Sequence, residues 1–115
     1  MFGPDQVTMQ TVDAHVVTQN YVAALTAARA MPTDSPLPLR SRARHLQDRA
    51  VAHTWLGHNE RAVDILESMA RLAPPVWSAH QAQPKIIVRE LRERERRSRT
   101  STRLKKLAET FHVTD

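Results

Sequence analysis

Cysteine is absent from this 115-residue chain, glycine occurs twice and aromatic side chains make up 4 % of it. Without cysteine there is no disulfide framework, no zinc ribbon and no thiol nucleophile. A cysteine-free chain suits a reducing compartment, so a cytoplasmic location is expected. Gly3 and Gly57, the two glycines, cannot build a phosphate-cradling loop. Scarce glycines and aromatics beside abundant Ala, Leu and Arg point away from a β-sandwich or a dinucleotide-binding fold. No apolar run approaches the length of a membrane span, and no basic stretch leads into a short apolar one at the start, as a secretory leader requires. The apolar fraction of 41 % is enough for one packed core.

Charge is present but uneven. Residues 1–75 hold seven Lys+Arg and seven Asp+Glu, whereas residues 76–115 hold ten and five, so the whole net charge of +5 sits in the last 40. The densest stretch runs from Arg89 to Lys106. Two readings stand: a solvated helix face, with Glu90 and Glu93 spaced to pair with Arg94 and Arg96, or a phosphate-binding surface with Arg94, Arg96, Arg97 and Arg99 as contacts.

Helical periodicity covers most of the chain. After Gly3-Pro4, Asp5 stands where a cap would, and Val7, Met9, Val12, Val16 and Val17 predict a helix over about 6–19. Asn20 is a candidate cap for a second helix. Its face is Tyr21, Leu25, Ala28 and Met31, and Pro32 ends it. Three prolines in residues 32–38 mark a linker. Ala43, Leu46, Ala50, His53 and Leu56 predict a third helix from Leu39, closed by Gly57 in the left-handed region. Asn59 is a candidate cap for a fourth helix, 60–72, with Ala62, Ile65, Leu66, Met69 and Leu72 inward. Pro74-Pro75 opens a second linker, 74–83, in which Trp77 is expected to cover the fourth helix or the linker itself. Pro84 suits the first position of a fifth helix that turns Ile87, Val88 and Leu91 inward. Thr100-Ser101-Thr102 precedes a sixth, with Leu104, Leu107, Ala108 and Phe111 as its stripe. The expected fold is all-α: about six antiparallel helices in one domain, forming two to three helical hairpins at about 5–31, 39–73 and 84–112.

The first two hairpins repeat. Ala24 and Ala62 hold matching places 38 residues apart, near the period of stacked helix-hairpin arrays. The stretch with Ala50, His53, Leu56-Gly57, Glu60, Ala62, Leu66, Met69-Ala70, Leu72 and Pro74 resembles a tetratricopeptide (TPR) motif. Small residues fall at its close helix contacts, and Gln19 replaces the glycine in the weaker first copy. Further markers are Phe2-Gly3-Pro4, Arg42-Ala43-Arg44-His45-Leu46, Leu66-Glu67, Arg71-Leu72-Ala73-Pro74, Val88-Arg89-Glu90-Leu91 and Leu104 with Leu107-Ala108. Together they resemble the C-terminal TPR-like region of actinobacterial helix-turn-helix (Xre-type) transcriptional regulators. In that family a DNA-binding domain precedes this region. No segment here corresponds to it, so nucleic acid is not an expected partner of this chain alone.

Catalytic signatures are missing. None of the serines lies in a nucleophile-elbow or Ser-x-x-Lys pattern, and the acidic residues fall singly along helices. The six histidines show no pair at i, i+4, and neither a metal nor a cofactor is expected. His53 reads as a helix-packing residue, and His45 and His58 as surface or cap residues. Binding suits such an architecture, whose concave groove is lined by the first helix of each hairpin. The resemblance assigns groove places to Gln6, Met9 and Asp13, to Arg44, Gln47, Val51 and Trp55, and to Lys85, Arg89 and Arg92. Asp13 and Val51 stand where some TPR domains hold a carboxylate with asparagine, so that clamp is not expected. Trp55 is either a contact anchor or packed on the next hairpin. Leu104, Leu107 and Phe111 are either a homodimer seam or the cover of the last core layer. The expected role is non-catalytic: self-association, or holding a peptide, protein or small ligand in the groove, with no membrane partner. Two other readings remain, a nucleic-acid module working through residues 89–106 and a structural cap of a longer array.

Overall fold

The computed structural model describes residues 3–32, 35–72, 81–94 and 101–113. These form six helices: α1 (Pro4–Val17), α2 (Tyr21–Ala28), α3 (Leu39–Trp55), α4 (Asn59–Leu72), α5 (Ala82–Arg94) and α6 (Ser101–Thr110). Among the described residues there is no strand, and no helix is long and apolar enough to cross a membrane. Trp77, Thr100 and the arginines at 96, 97 and 99 lie outside the described residues.

The turns explain the helix ends. Gly57 takes φ +82° after α3, where the His58 and Gly57 amides donate to the His53 and Thr54 carbonyls. These bonds satisfy carbonyls that the helix end leaves open. α1 ends the same way with Gln19 at φ +62°, its bonds running from Asn20 to His15 and from Gln19 to Val16. α6 repeats it with His112 at φ +54°. The 38-residue repeat is therefore a repeat of turn geometry as well as of sequence, and Ala24 and Ala62 are both fully buried just beyond it. Only one of the three turns uses the residue suited to a positive φ. Gln19→Gly is expected to raise stability by about 0.5–1 kcal/mol, by relieving the crowding of a Cβ in the left-handed region. Gly57→Ala is expected to lower it by a similar amount, through the backbone alone, because no atom lies within 4 Å of the added Cβ. Urea midpoints check both signs.

Several helix ends differ from the sequence reading. α2 stops at Ala28 and tightens through bonds from Arg29 to Thr26 and from Met31 to Ala28, because Met31 before Pro32 is pushed out of the helical region. Asp5 does not cap α1; its carboxylate accepts a 2.7 Å bond from the Ser35 hydroxyl. Asn59 lies inside α4, whose first backbone bond reaches back to His58. α5 begins at Ala82, so Pro84 is its third residue, where a missing amide costs nothing.

Hydrophobic burial is concentrated in the C-terminal two thirds. Val63, Leu66 and Met69 of α4 meet Ile87, Val88 and Leu91 of α5 and Leu104, Leu107 and Phe111 of α6 in one cluster with Ala50 and Val51 of α3. The stripe Leu104, Leu107 and Phe111 thus covers the last core layer within the chain. The N-terminal hairpin docks on α3 through a smaller cluster of Val12, Ala24, Ala28 and Ala52. Three alanines let the helices approach closely but bury little area. α1 has no single inward face: Val12 is buried, whereas Val7 and Val17 are 53 % and 70 % exposed.

Candidate functional site

α1, α3 and α5 run in the same direction, side by side. At one end, Asp5 near the start of α1 meets Ser35 just before α3. Midway, Asp13 of α1 meets Arg44 of α3. At the other end, Arg94 of α5 donates to the Thr54 carbonyl near the end of α3. α1, α3 and α5 therefore form one layer.

Arg40, Arg44 and Gln47 of α3 line a recess with Gln81, Ala82 and Gln83 at the start of α5. The sequence reading placed Arg44 and Gln47 there; the Gln81–Gln83 wall it did not foresee. By helical spacing, Lys85, Arg89 and Arg92 continue the α5 stripe that starts at Ala82. Lys85 is half-buried and Arg89 exposed, while Arg92 is half-buried and engaged. Gln6 stands apart, in a separate recess with Pro36, Leu37 and Pro38, and Met9 is half-buried.

Val51 does not line an open groove. It is buried in the cluster with Ile87, Val88 and Leu91, so α3 and α5 close on each other at mid-length. Trp55 is 44 % exposed beyond this closure, with the Arg94 guanidinium 5.5 Å from its ring centroid. The structure also removes Arg94 from the candidate phosphate contacts. Its guanidinium donates to the Glu90 carboxylate at 3.1 Å, to Asn59 Oδ1 at 3.1 Å and to the Thr54 carbonyl. Its charge meets the negative end of the α3 dipole and ties α5 to the α3–α4 turn. Arg103, within the same basic segment, is likewise engaged. It bridges α6 to Asp64 and Glu67 of α4 at 2.6 Å each, and its bonds hold the Glu67 carboxyl below its ordinary value.

Carboxylates are not all isolated. Packing of α1 on α3 brings Asp13 to Asp48, with Arg44 between them at 3.0 and 3.5 Å. Asp48 is 2 % exposed and its Oδ2 has no hydrogen-bond partner. Burial, then the Asp13 charge, push its pKa up to about 7 against the opposing pull of Arg44. His45 is buried, not a surface residue, and both ring nitrogens lack partners. Burial and the Arg49 charge lower its pKa to about 4. His53 falls to about 4 as well, through burial and then the charges of His58, Arg61 and Arg49; its Nδ1 lies 3.0 Å from His58 Nδ1. Among the described residues no three His, Asp or Glu side chains converge as a metal site would need.

Comparison with known proteins adds no family: no family model, curated relative or solved structure matches the chain.

Proposed function

We propose that this chain is a non-catalytic, TPR-like interaction domain from a cytoplasmic transcriptional regulator of the Xre type, and that it seats an acidic partner segment against its first-helix layer. The observation that carries the reading is the recess between α3 and α5, where Arg40 and Arg44 stand beside the amides of Gln47, Gln81 and Gln83. Arg40 and Arg44 supply positive charge with Asp13 as the counter-charge, and the glutamines offer donors and acceptors to an extended backbone. Lys85 and Arg89 carry the positive stripe along α5, and the exposed face of Trp55 offers an apolar anchor beyond the Val51 closure. Positive charge at the rim mainly speeds and selects encounter with acidic partners.

Phosphate binding through residues 89–106 is the weaker reading, because Arg94 and Arg103 already hold intramolecular partners, whereas Arg40 and Lys85 form no ion pair among the described residues. The test is fluorescence anisotropy with a labelled peptide of alternating Glu and Leu, run beside a labelled DNA duplex of equal charge. The peptide is expected to bind, and the Arg40→Ala, Arg44→Ala double variant to weaken it about tenfold, a loss of about 1.4 kcal/mol. Tighter binding of the duplex, or equal peptide binding by both proteins, would overturn the proposal.

A further inference from the structure

A second cavity lies on the other side of α3. Successive residues of that helix are 100° apart, so Arg42, His45, Leu46 and Arg49 face away from Arg44 and Gln47. They line a cavity of about 430 Å³ closed by the end of α2, the segment leading into α3 and the end of α4. That volume is in the range of small-molecule sites. Its two kinds of wall are chemically opposite. Met31, Leu46 and Leu72 supply apolar surface, while Arg29, Arg42 and Arg49 supply cations. Among the described residues no carboxylate forms an ion pair with any of the three.

Two buried groups on this wall are held at a cost. His45 is 4 % exposed, with neither ring nitrogen hydrogen-bonded. A buried polar group without a partner is destabilising, because it has lost its water and gained nothing in exchange. Arg49 is half-buried, and the charge that acts on it is another cation: burial and the Arg61 charge lower its pKa from the ordinary arginine value. An anion entering the cavity would pair with Arg49 and offset its burial beside Arg61.

We infer that this cavity, between α2, α3 and α4, is a binding site for a small amphipathic anion, with the acidic head at Arg49 and Arg42 and the apolar body along Leu46, Leu72 and Met31. The site is independent of the groove, since it uses the opposite face of α3. A head of either carboxylate or phosphate chemistry satisfies the same donors.

The experiment is calorimetric titration of the full chain with decanoate, decyl phosphate, decanol and acetate. Decanoate or decyl phosphate, whichever matches the head site, is expected to bind at least about tenfold more tightly than decanol or acetate. The comparison of the two long-chain anions identifies the head group. Arg49→Gln is expected to weaken that ligand about tenfold, and Arg42→Gln, a half-exposed position that leaves the interior intact, about fivefold. Arg44→Ala, on the groove face, is expected to leave binding unchanged. Decanol binding as tightly as both anions, acetate matching them, or unchanged affinity in the folded Arg42→Gln variant would overturn the inference. So would loss of binding in Arg44→Ala with retention in Arg49→Gln.

Discussion

Phe111→Ala is expected to remove about 3–5 kcal/mol of folding free energy, the range for emptying a buried aromatic site. Among the described residues Phe111 is the largest fully buried side chain, and it lies with Leu104 and Leu107 in the cluster that joins α6 to α4 and α5. A domain of this size holds about 5–15 kcal/mol in all, so the variant should be close to unfolding at physiological temperature. Denaturant titration followed by circular dichroism measures the loss. Repeating it across protein concentrations checks that the α6 stripe is core and not a seam between copies. A core residue lowers the midpoint equally at every concentration, whereas a seam between two copies makes the wild-type midpoint itself depend on concentration. A loss below about 1 kcal/mol would place Phe111 outside the core.

Asp48→Asn should stabilise the protein at pH 8 by about 2–4 kcal/mol and have little effect near pH 4. The sign follows from proton counting. The Asp48 carboxyl has its pKa raised to about 7 in the folded chain, against 3.8 as a free side chain. Between those values the folded state keeps a proton that the unfolded state has released, so stability falls as pH rises through the window and is level above it. A rise of about three units corresponds to a ceiling of about 4 kcal/mol. Asparagine removes the buried charge while keeping the shape, and so removes the fall. His45 and His53 act in the opposite sense. Their folded values of about 4 lie below 6.5, so their stability is present above pH 6.5 and is lost as pH drops to 4. In the wild type the aspartate and the histidines oppose each other across this window. The Asp48→Asn variant should therefore show a steeper acid loss and a higher plateau. Denaturation midpoints at pH 4, 5, 6, 7 and 8 read both. A variant less stable than wild type at pH 8 would mean that Arg44 outweighs the burial cost.

Much of the architecture is legible residue by residue. Ile87, Val88 and Leu91, and Leu104, Leu107, Ala108 and Phe111, are read inward from spacing and are buried. Gly57 is read as a left-handed helix stop and takes φ +82°. Valine spacing in α1 misleads, because two alanines of α2 and one of α3 offer it only a narrow seat; Val12 fills that seat while Val7 and Val17 face outward. At the candidate groove, Arg44 and Gln47 line one recess, but nothing in their spacing names the Gln81–Gln83 wall. Val51 is buried instead, since the same position is an opening or a floor depending on how closely the next helix pair approaches.

The sequence by itself determined the six helices, the stop at Gly57 and the apolar stripes of α5 and α6, because each rests on contacts within one or two turns. Tertiary structure alone decided which stripe meets which. It set Arg94 against Thr54 and Asn59, brought Asp13 to Arg44 and Asp48, and enclosed His45 and Arg49 in a cavity. Most of those partners lie 31–40 residues apart. Local periodicity carries no record of them, because the energy that selects them comes from desolvating two surfaces at once.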